Sequence, residues 1–271
     1  MRKAILLFAL LSACGDAEVE TVTRTHVFQT VDFGRLVSRR VAEGFDLDGM
    51  ATNSREARGC AQDDFTSPGG TPGVDNNFAV LIPLLDLAAE GALQALIQTA
   101  VNEGRLLVFL EEFEDGRGQT GLRFRRGDDS PLLGTDGRLL PGQTLGLHPD
   151  ADLGTAPDLT LTQEGSTLEA RGFDVRLPAV IFETLYVLEF RDARIRYEAG
   201  DDGRLVGMLG GGVELGQIFE IIRTADAQMG ASIEDLIGEE LRNLADLTSE
   251  GGDCQRLSAT VTFEAVPAFV F

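Results

Sequence analysis

Alternating apolar and polar residues, separated by short glycine-containing turns, run through much of the chain after residue 104. Three pairs of segments have this period of two, each pair joined by such a turn: 105–114 with 119–126, 159–163 with 167–175, and 185–198 with 204–208. Successive side chains of a β-strand point to opposite faces, and short turns join antiparallel neighbours. The pattern therefore predicts a mostly antiparallel sheet and argues against alternating βαβ units.

Three segments have helical periodicity: 83–103, 213–227 and 233–247. In the first, polar residues recur every four positions and would form one stripe along a helix: Asp86, Glu90, Gln94, Gln98 and Asn102. Almost all of its other positions are apolar, so we expect this helix to be mostly buried. Together, strands and helices predict an α+β fold, a mostly antiparallel β-sandwich with about three helices packed on one face or at one end.

Two long segments are rich in glycine, proline and acidic residues and predict irregular structure: 35–77 and 127–157. The first, called the acidic loop below, is longer than compact domains usually tolerate, so we expect something to hold it in place. Further strands are predicted at 23–31 and 256–266. The glycines between 207 and 216 match no nucleotide-binding motif, and we expect them to permit close packing between a strand and the following helix.

The first fourteen residues have the order of a secretory signal. A short basic segment precedes the apolar run 4–11, which is too short to span a bilayer as a helix, and Leu-Ser-Ala-Cys follows at 11–14. This ending resembles the lipobox of bacterial lipoproteins, in which the cysteine thiol receives a diacylglycerol and the signal peptide is cut off before it. The resemblance implies that residues 1–13 are removed and that Cys14 is the lipidation site.

The same resemblance implies a location. A lipidated cysteine on a tether over residues 14–25 makes a membrane the partner of the mature chain, because two or more acyl chains hold a protein stably at a bilayer. In enterobacterial lipoproteins an aspartate directly after the cysteine retains the protein in the inner membrane. Gly15 occupies that position here, so we expect the outer membrane rather than the inner one. Residues 26–271 are expected to form a single β-rich globular domain.

Carboxylates cluster on the glycine-rich acidic loop. Ca²⁺ binds six to eight oxygen ligands, which carboxylates and carbonyls supply. We therefore hypothesise that five side chains hold one Ca²⁺: Asp46, Asp48, Asp64, Asp75 and Asn76. The alternative is that these residues form Asx-turns with nearby backbone groups. The elements Gly-Phe-Asp-Leu-Asp-Gly at 44–49 and Gly-Val-Asp-Asn at 73–76, with a cysteine between them, also resemble lipoproteins of high-GC Gram-negative bacteria, a resemblance that implies no activity.

Two cysteines remain once Cys14 is lipidated. Cys60 lies in the acidic loop, and Cys254 precedes the last predicted strand. Disulfides persist in exported proteins because their compartments are oxidising, so we expect these two cysteines to be bonded, with free thiols as the alternative. The bond would tie the acidic loop to the last strand.

Composition limits the classes of function. The chain has 44 acidic and 23 basic residues and a formal net charge of −21, which would repel a phosphate backbone, so no nucleic-acid partner is expected. The two histidines, His26 and His148, are expected to be structural or solvent-facing. Neither a Gly-x-Ser-x-Gly nor a His-Glu-x-x-His motif occurs.

We therefore expect no enzyme but a lipid-anchored cell-envelope protein, a structural or binding module whose partner is another envelope protein or a glycan. Two alternatives stay open. One is a carrier of an apolar ligand built around the helix at 83–103. The other is a glycoside hydrolase that uses a pair of carboxylates.

Overall fold

A computed structural model describes residues 20–88, 91–162, 166–181, 184–230 and 232–271. The predicted signal peptide, Cys14 and the first part of the tether lie outside the described residues. The predicted α+β class is confirmed, since the described chain is mostly antiparallel β-structure with a few short helices. None of the helices in the described ranges is long and apolar enough to cross a membrane.

The strands are, in chain order, β1 Thr21–Phe33, β2 Leu36–Ser38, β3 Val41–Ala42, β4 Phe65–Thr66, β5 Pro72–Val74, β6 Val108–Glu114, β7 Thr120–Gly127, β8 Thr144–Leu145, β9 Leu147–Ala156, β10 Thr160–Leu161, β11 Thr167–Ile181, β12 Thr184–Ala199, β13 Leu205–Glu214, β14 Leu247–Thr248, β15 Cys254–Pro267 and β16 Phe269–Val270. The α-helices are α1 Ile82–Ala88, α2 Leu93–Asn102, α3 Leu215–Met229 and α4 Ile233–Asn243. Short 3₁₀ turns occur at Ala57–Gly59 and Asn77–Val80.

One large antiparallel sheet organises the molecule. Its strand order is β10-β11-β12-β13-β15-β1-β6-β7-β9, and β14 pairs with the start of β15. The sheet curls until β9 lies beside β11, where the Arg176 guanidinium donates to the carbonyl oxygen of Asp152 at 2.6 Å. A Cβ on Gly154 would come within 2.4 Å of the Asp174 carbonyl oxygen, so this approach requires a glycine. A single curled sheet therefore supplies both of the facing layers.

Aromatic side chains fill the inside of the curl. The rings of Phe28 and Phe263 stack with their centroids 4.6 Å apart, and those of Phe124 and Phe173 are 5.7 Å apart. Each of these four residues is buried. Because buried aromatic rings remove large apolar areas from water, this cluster is the main source of hydrophobic stabilisation, and strands from all parts of the sheet contribute to it.

The predicted helix at 83–103 is wrong in two respects. It is two helices, α1 and α2, and between them Gly91 has a φ of +79°, in the left-handed region that favours glycine. The segment is also not mostly buried, since the side chains of Leu87 and Leu96 are 74% and 58% exposed. The periodicity correctly indicates an amphipathic segment but not which face meets the protein.

Two residues of this polar stripe, Gln94 and Gln98, face the sheet. Strand β6 pairs with β1 only from Thr21 to Val27, so beyond Val27 this edge of β1 lies against α2. The amide nitrogens of Gln94 and Gln98 donate to the carbonyl oxygens of Val31 and Gln29, each at 3.0 Å. Buried backbone carbonyls need donors, and the glutamines supply them where the neighbouring strand has ended.

Two predicted irregular segments contain strands. Residues 127–157 include β9, in which Ala151, Leu153 and Ala156 are buried. Because Pro149 and Gly154 interrupt the alternation of apolar and polar residues in β9, the sequence pattern does not predict this strand. The acidic loop contains β2 to β5, which pair into a small four-stranded sheet of two- and three-residue strands. Strands this short leave almost no periodic signal in a sequence.

The remaining helix predictions, 213–227 and 233–247, correspond to α3 and α4. The second prediction runs four residues past the end of α4 at Asn243 and includes Leu247, which belongs to β14. Ser232 makes no side-chain capping hydrogen bond to α4. Instead the Asp226 carboxylate accepts from the backbone N–H groups of Ile233 and Glu234, at 2.7 and 3.1 Å, so a residue of α3 caps the start of α4.

The glycines of β13 permit close packing, but not against the following helix as predicted. A Cβ on Gly207 would lie 2.4 Å from the Arg196 carbonyl oxygen and 2.8 Å from the Phe263 ring. A Cβ on Gly210 would lie 2.9 Å from the Phe45 ring. Gly210 therefore makes room for the acidic loop.

Candidate functional site

Phe45 seats the acidic loop on the outer face of the large sheet. Its ring packs over Gly210, and the guanidinium carbons of Arg194 and Arg196 lie 5.3 and 5.4 Å from the ring centroid. The Phe45 carbonyl oxygen accepts a 2.8 Å hydrogen bond from the Asp75 N–H. Phe45 thereby brings its neighbour Asp46 next to Asp75, at the other end of the loop.

Three carboxylates converge at this point. Asp46, Asp48 and Asp75 each offer an oxygen, and these oxygens all lie within 4.8 Å of one another. Two oxygens bound to one Ca²⁺ at 2.3–2.6 Å can be at most roughly 5 Å apart. The three residues therefore fit a single Ca²⁺ without a change of backbone, and neighbouring carbonyl groups can complete the ligand set.

Backbone N–H groups orient the three carboxylates. One oxygen of Asp75 accepts from Leu47 N–H at 2.7 Å and from Asp48 N–H at 3.4 Å. Asp46 accepts from Gly49 N–H at 2.6 Å, and Asp48 accepts from Met50 N–H at 2.8 Å. The Asx-turns of the alternative interpretation are thus present. Each carboxylate uses one oxygen in these bonds, which leaves the other oxygen to face a cation.

Asp64 lies close to this group. Its carboxylate accepts from the backbone N–H of Thr52 and, at 3.2 Å, from the Thr52 hydroxyl. Burial raises the pKa of Asp64, and the charges of Asp48 and Asp46 add to the shift. Burial likewise raises the pKa of Asp48, with Asp46 contributing. The acidic loop therefore concentrates negative charge where water is partly excluded.

Asp246 is a fifth carboxylate at this place, and the sequence analysis missed it. It is buried, and its oxygens accept from the backbone N–H of Ser258 at 2.8 Å and from the Ser258 hydroxyl. Burial raises the pKa of Asp246 to about 7, with a contribution from Asp64. Burial and then repulsion from Asp246 raise the pKa of Asp75 to about 9. Asp246 lies 171 positions beyond Asp75 in the sequence, inside a predicted helix, and nothing local indicated this role.

Asn76 connects the two ends of the acidic loop. It is buried, and its amide nitrogen donates to the carbonyl oxygens of Glu43 and Gly34, at 2.7 and 3.2 Å. Among the described residues, no donor reaches its Oδ1. Asn76 thus ties the start of the acidic loop to its end, and a contribution to an ion through Oδ1 stays a prediction.

The predicted disulfide between Cys60 and Cys254 is confirmed. Their Cα atoms are 5.8 Å apart, and the bond closes 194 positions of chain. Nearby, the amide nitrogen of Gln62 donates to the Asn243 carbonyl oxygen at 2.6 Å, and that of Asn77 donates to the Leu244 carbonyl oxygen at 3.0 Å. The acidic loop is therefore held against the end of α4 and the start of β15, as its length requires.

The two histidines lie elsewhere. His26 is buried in β1 with its Nε2 3.0 Å from the Gly203 carbonyl oxygen, and burial lowers its pKa. Nδ1 of His148 accepts from the Asp150 N–H at 3.0 Å. Both contacts are structural, in keeping with the sequence analysis.

An open groove of about 800 Å³ crosses the outer face of the large sheet beside the acidic loop. Hydroxyl and carboxylate side chains dominate its lining, with one guanidinium. The carboxylates belong to Asp32, Glu43, Glu198 and Glu264.

Comparison with protein families, with curated proteins and with solved structures finds no match to this chain.

Proposed function

We propose that this chain is a non-enzymatic, lipid-anchored cell-envelope protein whose acidic loop binds one Ca²⁺ and so presents an ordered surface to another envelope component. The observation that carries the ion-binding part is the convergence of Asp46, Asp48 and Asp75 within 4.8 Å. The lipid anchor rests on the resemblance of residues 11–14 to a lipobox.

Electrostatics support a cation at this position. Asp64 and Asp246 add their charges to those of the three converging carboxylates. Within the described ranges, no arginine forms an ion pair with any of the five. Buried like charges must be neutralised by protons or by a cation. An exported protein meets calcium outside the cytoplasm, and the hard oxygen ligands here suit that ion.

The ion-binding part is tested by isothermal titration of the mature protein with CaCl₂. We expect one ion per chain, and we expect Asp48→Asn to weaken the affinity at least tenfold because it removes a charged ligand. Asp63→Asn is the matched control, since the Asp63 carboxylate accepts from Ser54 N–H at 2.7 Å outside the converging group; its affinity should equal that of the wild type. No titration heat, together with equal melting midpoints in CaCl₂ and in EDTA, would refute calcium binding.

The anchor is tested by mass spectrometry of the N-terminal peptide. We expect the mature chain to begin at Cys14 with at least two acyl chains, and we expect Cys14→Ser to prevent both cleavage and lipidation. A Cys14→Ser protein that is cleaved normally and sediments with membranes would contradict the anchor and leave calcium binding untouched.

The open groove on the outer face of the large sheet, with its four carboxylates, supports the alternative of a glycoside hydrolase. Glu198 and Glu264 lie on β12 and β15, and both pair in register with Val206 of the intervening strand β13, so their Cα atoms are roughly 10 Å apart. Long side chains at this spacing can approach the separation of an inverting pair. Release of reducing sugars from envelope glycans, abolished by Glu198→Gln, would establish this activity and displace the non-enzymatic proposal.

A further inference from the structure

Five large apolar side chains form an exposed cluster beside the last strand, called the apolar patch below. Their exposed fractions are high: Leu132 66%, Leu133 42%, Leu140 41%, Phe269 62% and Phe271 78%. Phe269 and Phe271 alone expose roughly 200–350 Å². With the three leucines, the patch reaches the upper part of the range of about 300–600 Å² that the largest patch on a monomeric protein spans.

Gln143 holds the patch together. Its amide nitrogen donates to the carbonyl oxygens of Leu140 and Leu132, at 2.8 and 3.3 Å, and its Oε1 accepts from Leu132 N–H at 2.8 Å. Its backbone carbonyl accepts from Phe269 N–H at 2.9 Å. These hydrogen bonds therefore hold together, in one surface, the apolar side chains of two segments far apart in sequence, 132–140 and 269–271.

The patch lies next to the strand that leads from the predicted anchor. The backbone N–H of Ala268, beside Phe269, donates to the Thr25 carbonyl oxygen at 3.0 Å. Thr25 lies four positions after Thr21, where β1 begins, a distance of roughly 14 Å along a strand. The six residue-to-residue steps from Cys14 to Glu20 can span up to roughly 20 Å, so a lipid on Cys14 can lie level with the patch.

We propose that the apolar patch docks on the bilayer that holds the lipid anchor, with Phe269, Phe271 and Leu132 entering the boundary between head groups and acyl chains. This inference rests on the proposed lipidation of Cys14. The acyl chains keep the patch at the surface, and the patch in turn fixes the orientation of the body, with the acidic loop directed away from the membrane.

The orientation of the acidic loop relative to the membrane follows from the course of β15. The patch adjoins its last residues, whereas the disulfide is at its first residue and Asp246 contacts Ser258 further along it. The strand from Ser258 to Pro267 spans roughly 30 Å, so a body resting on the patch holds the candidate ion site well clear of the lipid. Arg138, two positions before Leu140, forms a 3.1 Å ion pair with Glu264, so we expect binding without a requirement for anionic lipid.

A single-tryptophan reporter tests the proposal, because the chain contains no tryptophan. Phe271→Trp places the reporter in the patch. Leu236→Trp is the matched control, since Leu236 is 74% exposed on α4, near the opposite end of β15. The acylated full-length proteins are reconstituted on phosphatidylcholine vesicles whose acyl chains carry bromine, which quenches tryptophan at contact. We expect at least twofold quenching for Phe271→Trp and none for Leu236→Trp.

A second variant separates docking from anchoring. Adding Leu132→Asp and Phe269→Asp to the Phe271→Trp protein should abolish the quenching while the protein still sediments with vesicles through its acyl chains; adding Leu236→Asp should change neither. Circular dichroism verifies that the variants are folded.

The outcomes distinguish the two proposals. Vesicle-bound, acylated Phe271→Trp protein without quenching would overturn the docking and leave the anchor standing. A chain that carries no acyl group by mass spectrometry would overturn both. A blue shift of the tryptophan emission of the Phe271→Trp protein that depends on protein concentration, without lipid and without bromine quenching, would assign the patch to a second copy of this chain instead.

Discussion

Replacing Asp246 by Asn should stabilise the calcium-free protein at alkaline pH. Burial raises the pKa of Asp246 to about 7, against about 3.9 in an unfolded chain. The unfolded state therefore loses its proton first as pH rises. Stability falls from about pH 4 upward and levels off above the folded pKa.

The magnitude follows from the two pKa values. At 1.36 kcal/mol per unit, ionisation of Asp246 costs up to about 4 kcal/mol at pH 8 and about 1–2 kcal/mol at pH 5. Relaxation around the charge makes these values upper limits. Asn keeps both contacts, since its oxygen can accept from Ser258 N–H and its nitrogen can donate to the Ser258 hydroxyl, so Asp246→Asn should gain most of this energy.

The assay is urea unfolding in EDTA at pH 5 and pH 8, for the wild type, Asp246→Asn and the control Asp63→Asn. We expect Asp246→Asn to raise the free energy of unfolding by roughly 2–4 kcal/mol at pH 8 and by clearly less at pH 5. Asp63→Asn removes one negative charge without removing a buried one, so it should give no such gain. An Asp246→Asn protein that is less stable than the wild type at pH 8 would show that the buried carboxylate does not destabilise the fold.

Three further predictions concern the acidic loop and the helices. Gly210→Ala should displace the Phe45 ring, cost about 1–3 kcal/mol and weaken calcium binding; wild-type urea midpoint and affinity would contradict the packing described. Replacing Cys60 and Cys254 together by Ser should lower stability by about 2–5 kcal/mol in urea unfolding, and an unchanged midpoint would count against the disulfide's role. Leu96→Ser should change stability by less than about 0.5 kcal/mol, whereas a loss above about 2 kcal/mol in thermal melts would mean that α2 is buried as the sequence suggested.

Local patterns in the sequence predicted the strands of the large sheet because they alternate over many residues. Strand β12 is sixteen residues long, and the predicted segment 185–198 covers almost all of it because periodicity over that length is unambiguous. For β11, Thr167–Ile181, the prediction covered only 167–175. Alternation does not predict β2 to β5, because strands of two or three residues are too short to show a period of two. It also fails for β9, where Pro149 and Gly154 interrupt the alternation.

The orientation of α2 could not be predicted from its own residues. Gln94 and Gln98 face the protein because the pairing of β1 with β6 ends at Val27 and leaves later carbonyl groups of β1 in need of donors. That need arises only when the strands are assembled. An amphipathic pattern indicates two faces, and the neighbouring backbone decides which one is inside.

The sequence predicted part of the candidate site but not all of it. Asp46, Asp48 and Asp75 could be grouped because all three lie on one glycine-rich loop, and the structure brings them together. Asp246 could not be grouped with them, since contacts between segments far apart in the sequence, such as the disulfide and the pairing of β14 with β15, bring it to the loop. Long-range topology places this carboxylate, and short sequence motifs carry no information about it.

A crystal structure of the mature protein grown in CaCl₂, with anomalous diffraction recorded, would decide whether the three converging carboxylates bind calcium. We expect one anomalous peak at about 2.3–2.6 Å from oxygens of Asp46, Asp48 and Asp75. A well-ordered acidic loop with no anomalous peak beside these carboxylates would show that calcium does not bind there.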